Sequence, residues 1–137
     1  MRNILLLLAA ALPLAAYADN QGLSSDTMSA IAAMNEAQRD ALGHKLAERA
    51  WQNVAGQSGN IRSIRYRESD NTIIFSAVVG KTSRTKQSID AEGREIICGD
   101  AVLRDLMQAG YNMEYRFSNR GGKLMHAVKI RTQDCGR

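Results

Sequence analysis

Apolar residues recur at helical spacing through residues 23–54. Met28, Ile31 and Ala32 form one stripe, and Leu42, Leu46, Ala50 and Val54 form a second at spacing four with no Pro to interrupt it. Ser24, Ser25 or Asp26 can cap the start, because a short side-chain oxygen accepts from the orphan amides of a first helical turn. Asn35 with Gln38 three residues on resembles a capping box, so the segment reads as one helix or as two with a bend near Asn35. Gly56, Ser58, Gly59 and Asn60 then make a turn.

The period changes to two over residues 61–68 and 72–79. Ile64 and Tyr66 alternate with Ser63, Arg65 and Arg67, while Ile73, Phe75, Ala77 and Val79 share one face. A two-residue turn at Asp70-Asn71 would pair Tyr66 with Phe75 and Ile64 with Ala77. Residues 81–86 form a basic connector to a second helical stretch, with Ile89, Ile96, Leu103, Leu106 and Met107 as its buried positions. Asp100 reads as a fresh N-cap, so one helix ends near Cys98 and a short one runs over 101–109, stopped by Gly110.

The strongest alternation follows. Tyr111, Met113, Tyr115 and Phe117 share one face, and after a turn at Asn119, Arg120, Gly121 and Gly122 so do Leu124, His126, Val128 and Ile130. A four-residue loop pairs Phe117 with Leu124, Tyr115 with His126, Met113 with Val128 and Tyr111 with Ile130; a slip of one residue would turn every apolar side chain outward. The expected fold class is α+β, in the order helix (or two), β-hairpin, helix, β-hairpin. The helices pack on one face of a four-stranded, largely antiparallel sheet. The other face, with Arg65, Arg67, Glu114, Arg116, Lys129 and Arg131, should be solvated.

Residues 1–18 fall outside this fold. Arg2 gives a positive start, residues 4–14 are an apolar run containing Pro13, and Ala16 and Ala18 put small residues at −3 and −1 before Asp19. This is the pattern of a secretory signal peptide, and a run of about eleven residues is short of the roughly 20 that a membrane-spanning helix needs. The expected mature chain is a single domain over residues 19–137, periplasmic or secreted, with no membrane span. In an oxidising compartment the two cysteines, Cys98 and Cys135, have one intramolecular pairing. That disulfide would stabilise the fold by up to roughly 4 kcal/mol in the chain-entropy model. It would also pin the last hairpin to the end of a helix.

Charge is unevenly spread over the 137 residues. Residues 19–60 carry −2 and residues 61–137 carry +5. Arg62, Arg65 and Arg67, with Lys81, Arg84 and Lys86 on the following loop, form the candidate partner-binding set. They would meet an acidic protein, an anionic polysaccharide or membrane headgroups, unless they serve to guard an exposed sheet edge. Nucleic acid is not expected, given the export signal and the thin basic clustering. No His, Cys or carboxylate spacing matches a metal site, no glycine loop has a strand–helix context, and no cofactor is expected. His44 reads as a solvated helix residue. Asp90 with Glu92 or Glu95 reads as an exposed carboxylate pair, and His126 as a histidine bonded to the Tyr115 hydroxyl. A small enzyme built around His126 and Tyr115 would also need a nucleophile and an orienting acid, which no motif supplies.

Several features recur together: Cys98 at a helix end, Leu103-Arg104-Asp105-Leu106, Gly110, the strand over 111–117, a turn with Gly121, another strand and Cys135. Over residues 61–135 this layout resembles the quorum-sensing-regulated virulence factor family of small exported Gram-negative proteins. That resemblance implies export, an α+β fold and a part in secretion-linked or virulence physiology, with no catalytic residue carried over. The chain also resembles the α+β pilotins of type II secretion, which are usually lipoproteins, whereas here no cysteine stands near the cleavage point. The function expected is a non-enzymatic exported binding or accessory protein. Its alternatives are a periplasmic inhibitor or immunity protein, a pilotin-like protein, or the small enzyme.

Overall fold

The computed structural model describes residues 22–54, 61–78 and 85–136. The leader, the turn at 56–60, Val79, Lys81 and Arg84 lie outside the described residues. Helix α1 spans Ser25–Ala32 and α2 spans Glu36–Val54. Ser24 is the cap that starts α1, its hydroxyl accepting from the Thr27 amide. The bend falls at Asn35: its side chain accepts from the Gln38 amide at 2.8 Å, and Gln38 accepts from the Asn35 amide at 3.0 Å. That reciprocal box divides the segment into two helices.

Strands β1 (Ile61–Arg67) and β2 (Thr72–Val78) form the first hairpin. Helices α3 (Lys86–Cys98) and α4 (Ala101–Gln108) follow, and β3 (Asn112–Ser118) and β4 (Leu124–Ile130) form the second hairpin. Asp100 caps α4 as expected, its Oδ1 accepting from the Val102 and Leu103 amides. The four strands lie in the order β1-β2-β3-β4, antiparallel within each hairpin and parallel between β2 and β3. A parallel pair needs a long crossover, which α3 and α4 supply.

Both hairpins pair two residues away from the expected register. Ile64 meets Phe75 and Tyr66 meets Ile73, because a 3-10 turn over Glu68–Asp70 and Asn71 at φ 54° make the loop four residues long. In the second hairpin Phe117 meets His126, Tyr115 meets Val128 and Met113 meets Ile130. There the loop is lengthened by Gly122 at φ 87°, with an irregularity between Phe117 and Ser118. A shift of two keeps the paired side chains on their faces, so the apolar matching survives except at Leu124, expected on the core face, which pairs with Ser118 at the irregularity and stands exposed on the other side.

Helix α2 packs on β1 and β2, and α3 packs on β4 and β3. Between helices and sheet lies one core, with Ile31, Leu42, Leu46, Ile73, Ile97, Leu106, Met113 and Tyr115 almost wholly buried. On α3 the inward line is Ile89, Gly93 and Ile97, at spacing four, whereas Ile96 faces outward and is exposed. Ile96 and Ile97 differ by about 100° around a helix, and only Ile97 falls on the line of Ile89. A disulfide joins Cys98 at the end of α3 to Cys135 in the turn after β4, with Cα atoms 5.2 Å apart.

Candidate functional site

The sheet face away from the helices is laid out in rows by the strand register. Arg67, Thr72 and Asn112 form one row; Arg65, Ile74, Glu114 and Lys129 the next; Ser63, Ser76, Arg116 and Ala127 a third. Most of these residues are partly or fully exposed, but Glu114 is only 4% exposed. Alternation on a wet face would leave a carboxylate in water; here the neighbouring guanidinium groups approach it instead. Arg67 Nη2 donates to one Glu114 oxygen at 3.1 Å, and Arg116 Nη1 donates to the other at 2.8 Å. A buried carboxylate is tolerated when both oxygens are met by charged donors.

Arg67 also pairs with Asp70, its Nε and Nη2 donating to the two carboxylate oxygens at 2.9 and 2.8 Å. These bonds hold the Asp70 carboxyl down at about 2. Arg65 is exposed at the middle of edge strand β1, and Arg62 is exposed where the β1 register shifts. Lys86 is exposed at the start of α3, in the helix layer rather than on the outer sheet face. The described part of the expected basic set is therefore divided. Arg65 and Arg67 share a face with Arg116 and Lys129, two cations on that face that lie outside the expected binding set.

On the helix side, His126 does not reach the Tyr115 hydroxyl. The register shift sets it opposite Phe117, and its Nε2 lies 2.7 Å from Asp90 Oδ1 on α3. Tyr115 is fully buried and its hydroxyl donates to Glu92 Oε2. Asp90 and Glu92 thus face the sheet half-buried, contrary to the exposed pair read from the sequence, while Glu95 is exposed. The two contacts belong to the interface between α3 and the second hairpin, and the buried tyrosine offers no oxygen to a substrate. His44 stays exposed, 2.8 Å from Glu68.

A third feature is an open groove of about 480 Å³ between α4 and the C-terminal turn, lined by the disulfide, Arg104, Asp105 and Gln108. Asp105 also accepts from the Leu23 amide at 2.7 Å and so fastens the start of α1 to α4. Asp100, at the start of α4, has its carboxyl pushed up by burial despite two backbone donors. Among the described residues no cluster of three or more His, Cys, Asp or Glu side chains could hold a metal ion. No described helix is long and apolar enough to cross a membrane.

The arrangement defines an α+β protein with helices on one face of a four-stranded sheet, a basic outer face and one disulfide. Among solved structures it is similar to the pilotin EpsS from the Vibrio vulnificus type 2 secretion system, with a TM-score of 0.63 and 15% sequence identity. The match covers 74% of this chain and 96% of that one. No family model and no curated protein matches the sequence.

Proposed function

We propose that this chain is a non-enzymatic, pilotin-like accessory protein of an envelope secretion system, exported by its leader and acting on a protein partner in the periplasm or at the envelope. The likeness of fold to a type 2 secretion pilotin, running through nearly the whole of that chain, carries the reading. The geometry around His126 and Tyr115 supports it, because both polar groups are engaged in holding α3 to the sheet. Partner contact is assigned to the exposed β1 arginines, Arg62 and Arg65, which no described residue pairs. A partner with an acidic segment fits them.

Affinity capture from an envelope extract with the mature, oxidised protein as bait tests this. A component of a secretion apparatus should be retained, and Arg62→Glu with Arg65→Glu should weaken its capture roughly tenfold with little change in melting temperature. Capture of no such component overturns the secretion role. Undiminished capture by the double variant overturns the assignment to β1.

A further inference from the structure

At the end of the outer face remote from Arg67, the second hairpin closes in a tip of a different character. Residues 120–125 are all exposed, and among them Leu124 and Met125 are 42% and 54% exposed. The register explains why two large apolar side chains stand together in water. Ser118 pairs with Leu124 and Phe117 with His126, which leaves Met125 as an extra residue in a bulge. Leu124 opposes Ser118 and so lies on the side of Arg116 and Ala127, away from the helices.

The tip is a defined turn. The Asn119 amide donates to the Lys123 carbonyl at 3.0 Å, the Lys123 amide to Asn119 Oδ1 at 3.0 Å, and the Gly122 amide to the Asn119 carbonyl at 3.0 Å. Its charge is of one sign. Residues 115–133 contain five basic residues, Arg116, Arg120, Lys123, Lys129 and Arg131, and no acidic one. The carboxylate just before them, Glu114, is already neutralised by Arg67 and Arg116.

An exposed apolar pair flanked by cations matches the two layers of a lipid interface. The apolar side chains enter below the headgroups while lysine and arginine stay at the level of the phosphates. We propose that the β3–β4 hairpin tip docks on an anionic phospholipid bilayer, with Leu124 and Met125 in the interface and Arg120 and Lys123 against the phosphates. Lys129 and Arg65, farther along the same face, add to the attraction. An acidic protein segment would answer the cations and leave the Leu–Met pair unanswered. A second copy of this chain would bring two positive tips together. The inference does not depend on the secretion role, since vesicle binding and partner capture are read separately.

Co-sedimentation of the mature, oxidised protein with vesicles tests it. The protein should bind vesicles of mixed phosphatidylglycerol and phosphatidylcholine, bind phosphatidylcholine alone weakly, and release as salt rises. Arg120→Ala with Lys123→Ala should weaken binding about twenty-fivefold, at about fivefold for each cation near the surface. Leu124→Ser with Met125→Ser should weaken it even at low salt. In a Trp51→Phe background, Met125→Trp should shift its emission to the blue when anionic vesicles are added. Absence of binding, binding indifferent to both double variants, or an unmoved emission overturns the proposal. So does a dimer in solution that Leu124→Ser with Met125→Ser dissociates, which would make the tip a contact between copies.

Discussion

Gly43 shows how closely α2 lies on the sheet. A Cβ at this position would stand 2.4–2.6 Å from the Tyr66 ring atoms Cε1, Cζ and Cδ1. The ring has little room to retreat, because its hydroxyl donates to Asp40 Oδ1 at 2.8 Å and its edge meets the Tyr111 ring with centroids 6.0 Å apart. Burial raises the Tyr66 and Tyr111 hydroxyls above the ordinary tyrosine range, so both remain protonated donors. Tyr111 donates to the Arg39 carbonyl at 2.7 Å, and Arg39 Nη2 donates to the Ala109 carbonyl at 2.9 Å. Gly43→Ala gains up to about 1 kcal/mol in helix propensity but overpacks a fixed ring, which costs about 1–3 kcal/mol. A net loss of about 1–2 kcal/mol is expected in urea denaturation.

At the scale of elements, the turn between β1 and β2 joins register to electrostatics. Asp70 closes the 3-10 turn and is bound by Arg67, whose other contact is Glu114 on β3. Its carboxyl sits at about 2 in the folded protein and near the usual carboxylate value of about 4 when unfolded. The folded state thus binds the proton less readily. The contribution of Asp70 to stability is whole above about pH 4 and is lost as pH falls toward 2. Partial exposure of both partners keeps that contribution small. Asp70→Asn should flatten the acid limb of a melting-temperature profile between pH 4 and 2 relative to the parent chain, with its largest deficit at neutral pH.

The same turn shows what could be read in advance. Alternation puts Ile64, Tyr66, Ile73 and Phe75 on the core side, Asp100 marks a fresh helix start, Ser24 is one of three candidate caps, and Asn35 leaves one helix or two open, since alternation and capping are local properties of the chain. Register is not local: a displacement of two preserves every face, and loop length follows from the conformation at Asn71 and Gly122. The parallel joining of β2 to β3 left no mark on either strand. For the candidate site, the identity of the outer-face cations was legible, but the burial of Glu114 depends on arms reaching in from neighbouring positions on two strands.

At the scale of the molecule, the disulfide joins the end of α3 to the C-terminal turn beside α4. Arg104 reaches the Cys98 carbonyl there, and Asp105 holds the start of α1. Cys98→Ser with Cys135→Ser should lower stability by about 2–4 kcal/mol, measured by chemical denaturation against the oxidised parent. The sheet itself should keep its strands, because neither cysteine takes part in a ladder.

Both cysteines lie in the second half of the chain, after the crossover has begun. The covalent loop they close contains α4, β3 and β4 but not α1, α2, β1 or β2. The protein is topologically an open half and a ring, meeting along the parallel seam from Thr72 opposite Asn112 to Val78 opposite Ser118. The halves are joined by the backbone ladder of that seam, the core, the packing of α3 on β3 and β4, the Arg67–Glu114 pair, the bond of the Leu23 amide to Asp105 and the clasp of Arg39 with Ala109 and Tyr111. Reduction would open the ring without touching the seam, and loss of the seam would leave the ring closed.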